Sequence, residues 1–358
     1  MRFNELSGDQ IRQRIDSVQA FNAWRDADRE FRHSYRGSMH WQRKPSGEYL
    51  ARKYAQVWTQ VGRRSTETEQ IAADYTSQRT SLRTRLTKLA KSLDGTRRIN
   101  RAMGLGRVPD IAARVLAKLD ENDLLGNHVV VAGTHCLYAY ESRAGIIFGG
   151  NLTATKDIDL LLDVRQRFTF VMSEVKERGF IGLLKQVDSS FRKSRSYNAS
   201  NDDPYVVDLI RPLRKHEHAK QDPELTLNPG DLQPAAIEGL QWLVNSPKFE
   251  EVVIGEDGRP IRIVCIDPRV FALHKLWLSR RDDRRPEQRR RDALQASAVA
   301  IATRDYIGLK FDKKELAALP KELLDGVSVL LKPIHDEVKL ASRPTAKGQS
   351  TKKKPKSK

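Results

Sequence analysis

The run at residues 129–163, VVVAGTHCLYAYESRAGIIFGGNLTATKDIDLLLD, constrains this chain more than any other stretch. Its apolar start reads as a buried strand. Gly133-Thr134 then reads as a turn, followed by a helix, a glycine-bearing loop and a second strand opened by Asp157 and Asp159. Residues two apart on a strand point the same way. Ile158, Leu160 and Leu162 should therefore fill a core while Asp157 and Asp159 project together from the other face. Two carboxylates so placed repel, and a divalent cation between them is the best physical reason for keeping both.

Other segments bear on this pair. Asp208 interrupts the apolar run YVVDLI, where a lone carboxylate is costly to bury without compensation. It either completes a three-carboxylate cluster or pairs with Arg211 or Arg214. Mg²⁺ prefers hard oxygen ligands, so two or three carboxylates plus substrate phosphates suit it. Ions held this way can orient a nucleoside triphosphate for attack by a hydroxyl. Gly133-Thr134, between strand and helix, can cradle a phosphate at a helix N-terminus. Lys275 lies among Phe271, Ala272, Leu273, His274, Leu276 and Trp277. Its stem is packed, so its ammonium either meets a triphosphate or the acid cluster, or snorkels to the helix surface. Lys156 precedes the acid pair and either touches a phosphate or is solvated. The segment with Arg280, Arg281, Arg284, Arg285, Arg289, Arg290 and Arg291 is denser in cations than a solvated face requires, and points to an anionic substrate. His216-Glu217-His218 has no third ligand nearby and reads as a surface loop, whereas His128, His135 and His274 read as core histidines.

A hydrophobic strand, Gly-[Gly/Ser/Thr], a helix, Asp-x-Asp and a third Asp on a later strand together resemble the DNA polymerase β-type nucleotidyltransferase superfamily. Gly133-Thr134, Asp157-Ile158-Asp159 and Asp208 carry the resemblance. Within that superfamily the chain is similar to the minimal bacterial nucleotidyltransferases, including toxins of abortive-infection type systems. Those proteins carry a Lys on a downstream helix and then an Arg/Asp-bearing segment, matched by Lys275 and by Arg290, Arg291 and Asp292. The likeness spans residues 125–305, and departs at Gly-Thr, where Gly-Ser or Gly-Gly is commoner. It implies transfer of a nucleoside monophosphate from an NTP to a hydroxyl, with pyrophosphate released. It also implies Asp157, Asp159 and Asp208 as the catalytic, metal-binding carboxylates, Mg²⁺ or Mn²⁺ as cofactor, and Gly133, Thr134, Lys156 and Lys275 around the triphosphate. RNA, such as a tRNA end, is the expected acceptor, which would fit a toxin with an antitoxin partner. A protein hydroxyl and a small molecule come next. The rival is a nucleic-acid-binding protein on a catalytically silent scaffold, and the presence of all three acids argues against it.

The net charge of +18 also favours a polyanionic partner. Seven cations and no acid fall in residues 340–358, so +11 remains outside that tail. Arg280, Arg281, Arg284, Arg290 and Arg291 are the expected nucleic-acid contacts. The two cysteines, Cys136 and Cys265, sit in apolar runs and exclude a disulfide framework. No stretch approaches the roughly 20 apolar residues of a membrane span, and the start is polar, so a cytoplasmic protein is expected.

The expected fold is α/β or α+β: a polymerase β-like nucleotidyltransferase core with a mixed sheet, between helical additions. Residues 1–120 would form an N-terminal helical region with a β-hairpin, 121–265 the catalytic core, 266–341 a C-terminal helical domain and 342–358 a disordered basic tail. Helices are expected at 7–36, from a Thr66/Glu69 capping box to about residue 93 with Gly95 as the stop, from Pro109 to 119, and at 166–178, 268–281, 286–304 and 320–340, the last broken at Pro333. Strands are expected at 180–187, 189–196, 205–210, 239–244, 249–254 and 261–265, with a hairpin over 38–54 whose Trp41, Tyr49 and Tyr54 interleave with Arg43, Lys44, Arg52 and Lys53. That pattern can stack bases and hold phosphates, or simply cover a helix.

Overall fold

The computed structural model describes residues 3–331 except 55, 164–172, 214–229 and 313. A short strand β1 (Asn4–Glu5) leads into helix α1 (Gly8–Ser34), where Ser7 and Gln10 form a capping box. The expected hairpin, β2 (Ser38–Lys44) and β3 (Gly47–Tyr54), gains a third antiparallel strand, β4 (Val57–Arg63). Helix α2 (Thr66–Ala102) is capped one residue earlier than its spacing suggests. Ser65 Oγ accepts from the Thr68 backbone N–H, and the Thr68 hydroxyl accepts from the Ser65 N–H. It also runs through Gly95, its expected stop. Asn100 explains why: fully buried, it donates to the Gly258 carbonyl and accepts from Gln13 and Ser17, so tertiary bonds hold the last turns. They outweigh the roughly 1 kcal/mol that an interior glycine costs a helix.

After α3 (Asp110–Glu121) the chain forms β5 (Val129–Ala132), a 3₁₀ turn at Gly133–His135, α4 (Cys136–Ala144), β6 (Ile146–Ile147), α5 (Gly150–Thr153) and β7 (Asp157–Leu162). Then come α6 (Ser173–Val187), β8 (Arg192–Arg195), β9 (Asn198–Ser200), β10 (Val206–Pro212), β11 (Ala235–Ile237) and α7 (Leu240–Val244). The chain continues with β12 (Lys248–Ile254), β13 (Pro260–Ile266), α8 (Pro268–Ser279), α9 (Pro286–Ala302) and α10 (Lys321–Leu324), and is helical again over 326–331. Two expected strands are helical. Residues 180–187 lie in α6 beyond a break at Gly179, whose φ of 68° is non-helical. The new turn is capped from afar, since Asp231 accepts from the N–H groups of Phe180 and Ile181 at 2.7 and 3.0 Å. Residues 240–244 form α7, entered through left-handed Gly239. Most of the helix expected at 166–178, Arg214, the 216–218 motif, Pro333 and the basic tail lie outside the described residues.

Among the described residues eight strands form one mixed sheet in the order β12-β13-β5-β7-β10-β9-β8, with β11 also paired to β10. β7 is antiparallel to β5 and parallel to β10, which places these three at its centre. Ile158, Leu160 and Leu161 are fully buried. Below Asp159, then, both faces of β7 are covered, and only its first turn of the ladder opens outward. Tyr140 of α4 is buried and donates to the Ile266 carbonyl, while Ala272 of α8 and Ala296 and Ala298 of α9 continue the same core. No helix among the described residues is long and apolar enough to cross a membrane.

Candidate active site

Asp157 and Asp159 open β7, and Asp208 of β10 stands opposite Asp159 in the parallel register. In-register neighbours present their side chains on one face, so the three carboxylates share one end of the central strands. Across the other edge of β7, Ala132 is opposite Asp159, and the chain turns immediately afterwards through Gly133. Gly133 has φ +63°, and a Cβ there would lie 1.9 Å from Asp159 Oδ2. Glycine serves both the left-handed backbone and the approach of the carboxylate.

Burial, and then the charges of Asp157 and Asp208, push the Asp159 carboxyl up to about 6, against the pull of Lys275 and Arg284. Burial also raises Asp208, opposed by the Asn198 side chain, raised further by Asp157 and lowered by Arg195. Asp208 Oδ1 is buried without a hydrogen-bond partner among the described residues. Asp157 is exposed and takes a hydrogen bond from the Thr155 hydroxyl. Hard oxygens, mutual repulsion and an orphaned acceptor suit a divalent cation. In this conformation the carboxylates are not drawn to one point: among the described residues no group of three or more His, Cys, Asp or Glu could hold a metal ion.

A second cluster lies between α8 and α9. Lys275 is buried, and its Nζ is 2.8 Å from Asp292 Oδ1; Arg284 Nε is 2.9 Å from Asp292 Oδ2. The Lys275 ammonium thus pairs with an acid of α9, while remaining close enough to draw on Asp159. Arg291 donates to the carbonyls of Ala154 and Leu152 at 2.5 and 3.4 Å, and Gln295 to that of Leu152 at 2.8 Å. Both also reach the Thr134 hydroxyl, at 3.5 and 3.4 Å, so α9 holds the turn and the loop before β7 together. Arg281 pairs with Glu238 and Asp283 and lies over the Trp277 ring. Arg280 and Arg290 are exposed, with no ion pair among the described residues. Lys156 is exposed too, its carbonyl accepting from the Val206 N–H.

The buried histidines are neutral. Burial pushes His135 down to about 4, with the Tyr205 hydroxyl 3.1 Å from its Nε2. Burial and then Lys275, Arg284 and Arg281 push His274 down to about 3, and its ring stacks on Trp277. Sequence reasoning misses Thr155, Asn198, Arg195 and Gln295. None belongs to a motif; Thr155 lies two residues before Asp157, and the other three reach the site through strand pairing or helix packing.

A mixed sheet with a glycine turn and acids at the ends of its central strands is the arrangement the nucleotidyltransferase resemblance implies. The family model described as Nucleotidyltransferase matches residues 110–320, more than half of the chain, and the chain belongs to that family. No curated protein matches it, and no solved structure does. The protein is a transferase of nucleotidyl groups, a class that generally uses divalent metals.

Proposed function

We propose that the chain transfers a nucleoside monophosphate from an NTP to a hydroxyl on RNA, such as a tRNA end, and acts as a toxin checked by an antitoxin protein. The observation that carries the chemistry is the register of Asp208 against Asp159, with Gly133 packed on the Asp159 carboxylate. Asp157, Asp159 and Asp208 would hold Mg²⁺ or Mn²⁺, which when bound offsets phosphate charge and orients the phosphates for in-line displacement. Asp208 is suited to receive the acceptor hydroxyl's proton: one of its oxygens has no partner among the described residues, and burial raises its affinity for a proton. The acceptor oxygen bonds to the α-phosphorus as the bond to pyrophosphate breaks. Gly133 and Thr134 stand at the start of α4, where backbone N–H groups favour a phosphate. Lys156 and Lys275 add positive charge, with Arg280, Arg281, Arg284, Arg290 and Arg291 as the contacts for an anionic acceptor.

The excess of +11 outside the tail supports RNA over a cationic small molecule, which would need an acidic pocket. The toxin role rests on the resemblance to the abortive-infection nucleotidyltransferases. The test incubates wild type and Asp159→Asn with α-labelled NTPs, Mg²⁺ or Mn²⁺, and total RNA. Label entering RNA, at a rate at least about 100-fold lower in the variant, supports the reading. Label entering only protein moves the acceptor to a protein hydroxyl. RNA binding without transfer by either protein overturns the catalytic reading.

A further inference from the structure

The N-terminal sheet has a solvent-facing side that neither the core nor the carboxylates use. Its register puts His40 and Lys44 of β2, Tyr49 and Lys53 of β3, and Trp58 and Arg63 of β4 on that side. Cross-strand contacts agree: Lys53 Nζ lies 5.3 Å over the Trp58 ring, Lys44 Nζ 5.2 Å over the Tyr49 ring, and the His40 ring 5.8 Å from that of Trp58. The inner side carries Leu50, 1% exposed, and Arg52, which lies over the Tyr75 ring of α2. Glu48 is the one acid between Ser38 and Arg63. It belongs to the inner side, opposite Arg43, and is bonded to Arg43 and Arg64. The outer side therefore holds three permanent cations, a histidine and two rings, with no carboxylate. Trp58 remains 44% exposed.

We propose that this outer face docks single-stranded RNA, with Trp58 and Tyr49 stacking bases while Lys44, Lys53 and Arg63 hold phosphates. Unpaired bases offer their faces to such a surface, whereas a duplex hides them. The ammonium groups now over the rings are weakly held at an exposed site, and a stacking base displaces them towards the phosphates. An acidic protein would satisfy the cations and leave the rings unused. That the docked strand is the acceptor rests on the transferase reading; the docking itself does not.

The test is fluorescence anisotropy of full-length protein with a labelled oligouridine and with an RNA duplex of equal length, across a salt titration. Replacing Tyr49 and Trp58 together by Ala should weaken single-strand binding by about tenfold or more. Replacing Lys44, Lys53 and Arg63 by Gln should flatten the dependence of log affinity on log salt by roughly 0.7 per cation. Trp58→Phe, which keeps a ring, should retain most of the affinity, and thermal melts check that every variant folds. Unchanged affinity in both variant sets overturns the proposal. So does a Trp58→Phe as weak as the Ala variant, equal loss on the duplex, or loss only of a co-purifying acidic protein. Asp159→Asn should bind RNA like wild type, and failed transfer by the wild type with sheet-dependent binding counts against the transferase reading alone. If Asp159→Asn loses RNA while the sheet variants keep it, the strand docks at the carboxylates and the proposal falls.

Discussion

Asp208 on β10 faces Asp159 on β7 across a parallel register, and one of its oxygens is buried without a partner among the described residues. Acids gathered in this way weaken the fold that holds them. That cost makes them separable from ordinary surface charges by experiment.

Asp159→Asn should stabilise the protein at neutral pH while removing transfer. Below about pH 4 the carboxyl is protonated in both the folded and the unfolded chain. Between that and about 6 the folded chain keeps a proton that the unfolded chain has lost, so this group's contribution to stability falls as pH rises. The variant's advantage should thus be largest at pH 7.5, on the order of 2–3 kcal/mol, and fade by pH 4. Urea melts across that range read it directly, and a difference independent of pH would refute the assignment.

Gly133→Ala tests the turn, and Gly145→Ala is its control. Both glycines have left-handed φ, +63° and +67°, but a Cβ at Gly145 meets nothing within 4 Å. The control should lose about 1–2 kcal/mol from backbone strain alone. Gly133→Ala should lose more, because Asp159 must move, and its transfer rate should fall at least tenfold further than the control's. Equal effects at the two positions would show that the contact with Asp159 is idle.

The Lys275–Asp292 pair is buried, with Arg284 as a third member. Asp292→Leu should cost roughly 3–5 kcal/mol, since it strands the buried Lys275 ammonium, whereas Lys275→Met should cost less, because Arg284 still pairs with Asp292. The double variant should be more stable than Asp292→Leu alone, because no buried ammonium is left without its acid. Transfer should stay low in it, because the positive charge near Asp159 is gone. A double variant as active as wild type would confine Lys275 to packing.

The strand positions of the acids were legible because their pattern is local: two in one strand, and a third inside an apolar run. Strand alternation placed Ile158 and Leu160 in the core for the same reason. The cap of α2 was misplaced by one residue because Ser65/Thr68 and Thr66/Glu69 offer the same spacing. What sequence could not supply was long-range. Asp231 starts a helix at Phe180 from 51 residues away, and Asn100 carries α2 past Gly95 through bonds to Gly258 and Ser17. Lys275 needed an anion, as its apolar neighbours suggested, but only the packing of α8 on α9 shows that Asp292 supplies it.

The crowding of Asp159 by its neighbours also makes its oxygens a point of rivalry. A carboxyl that binds a proton near pH 6 offers the same lone pairs to a proton and to a divalent ion. An ion on Asp159 would displace that proton, and mild acidification would weaken its hold. The repulsion that taxes the folded chain would then act as a throttle, setting the range of acidity in which the enzyme can be loaded.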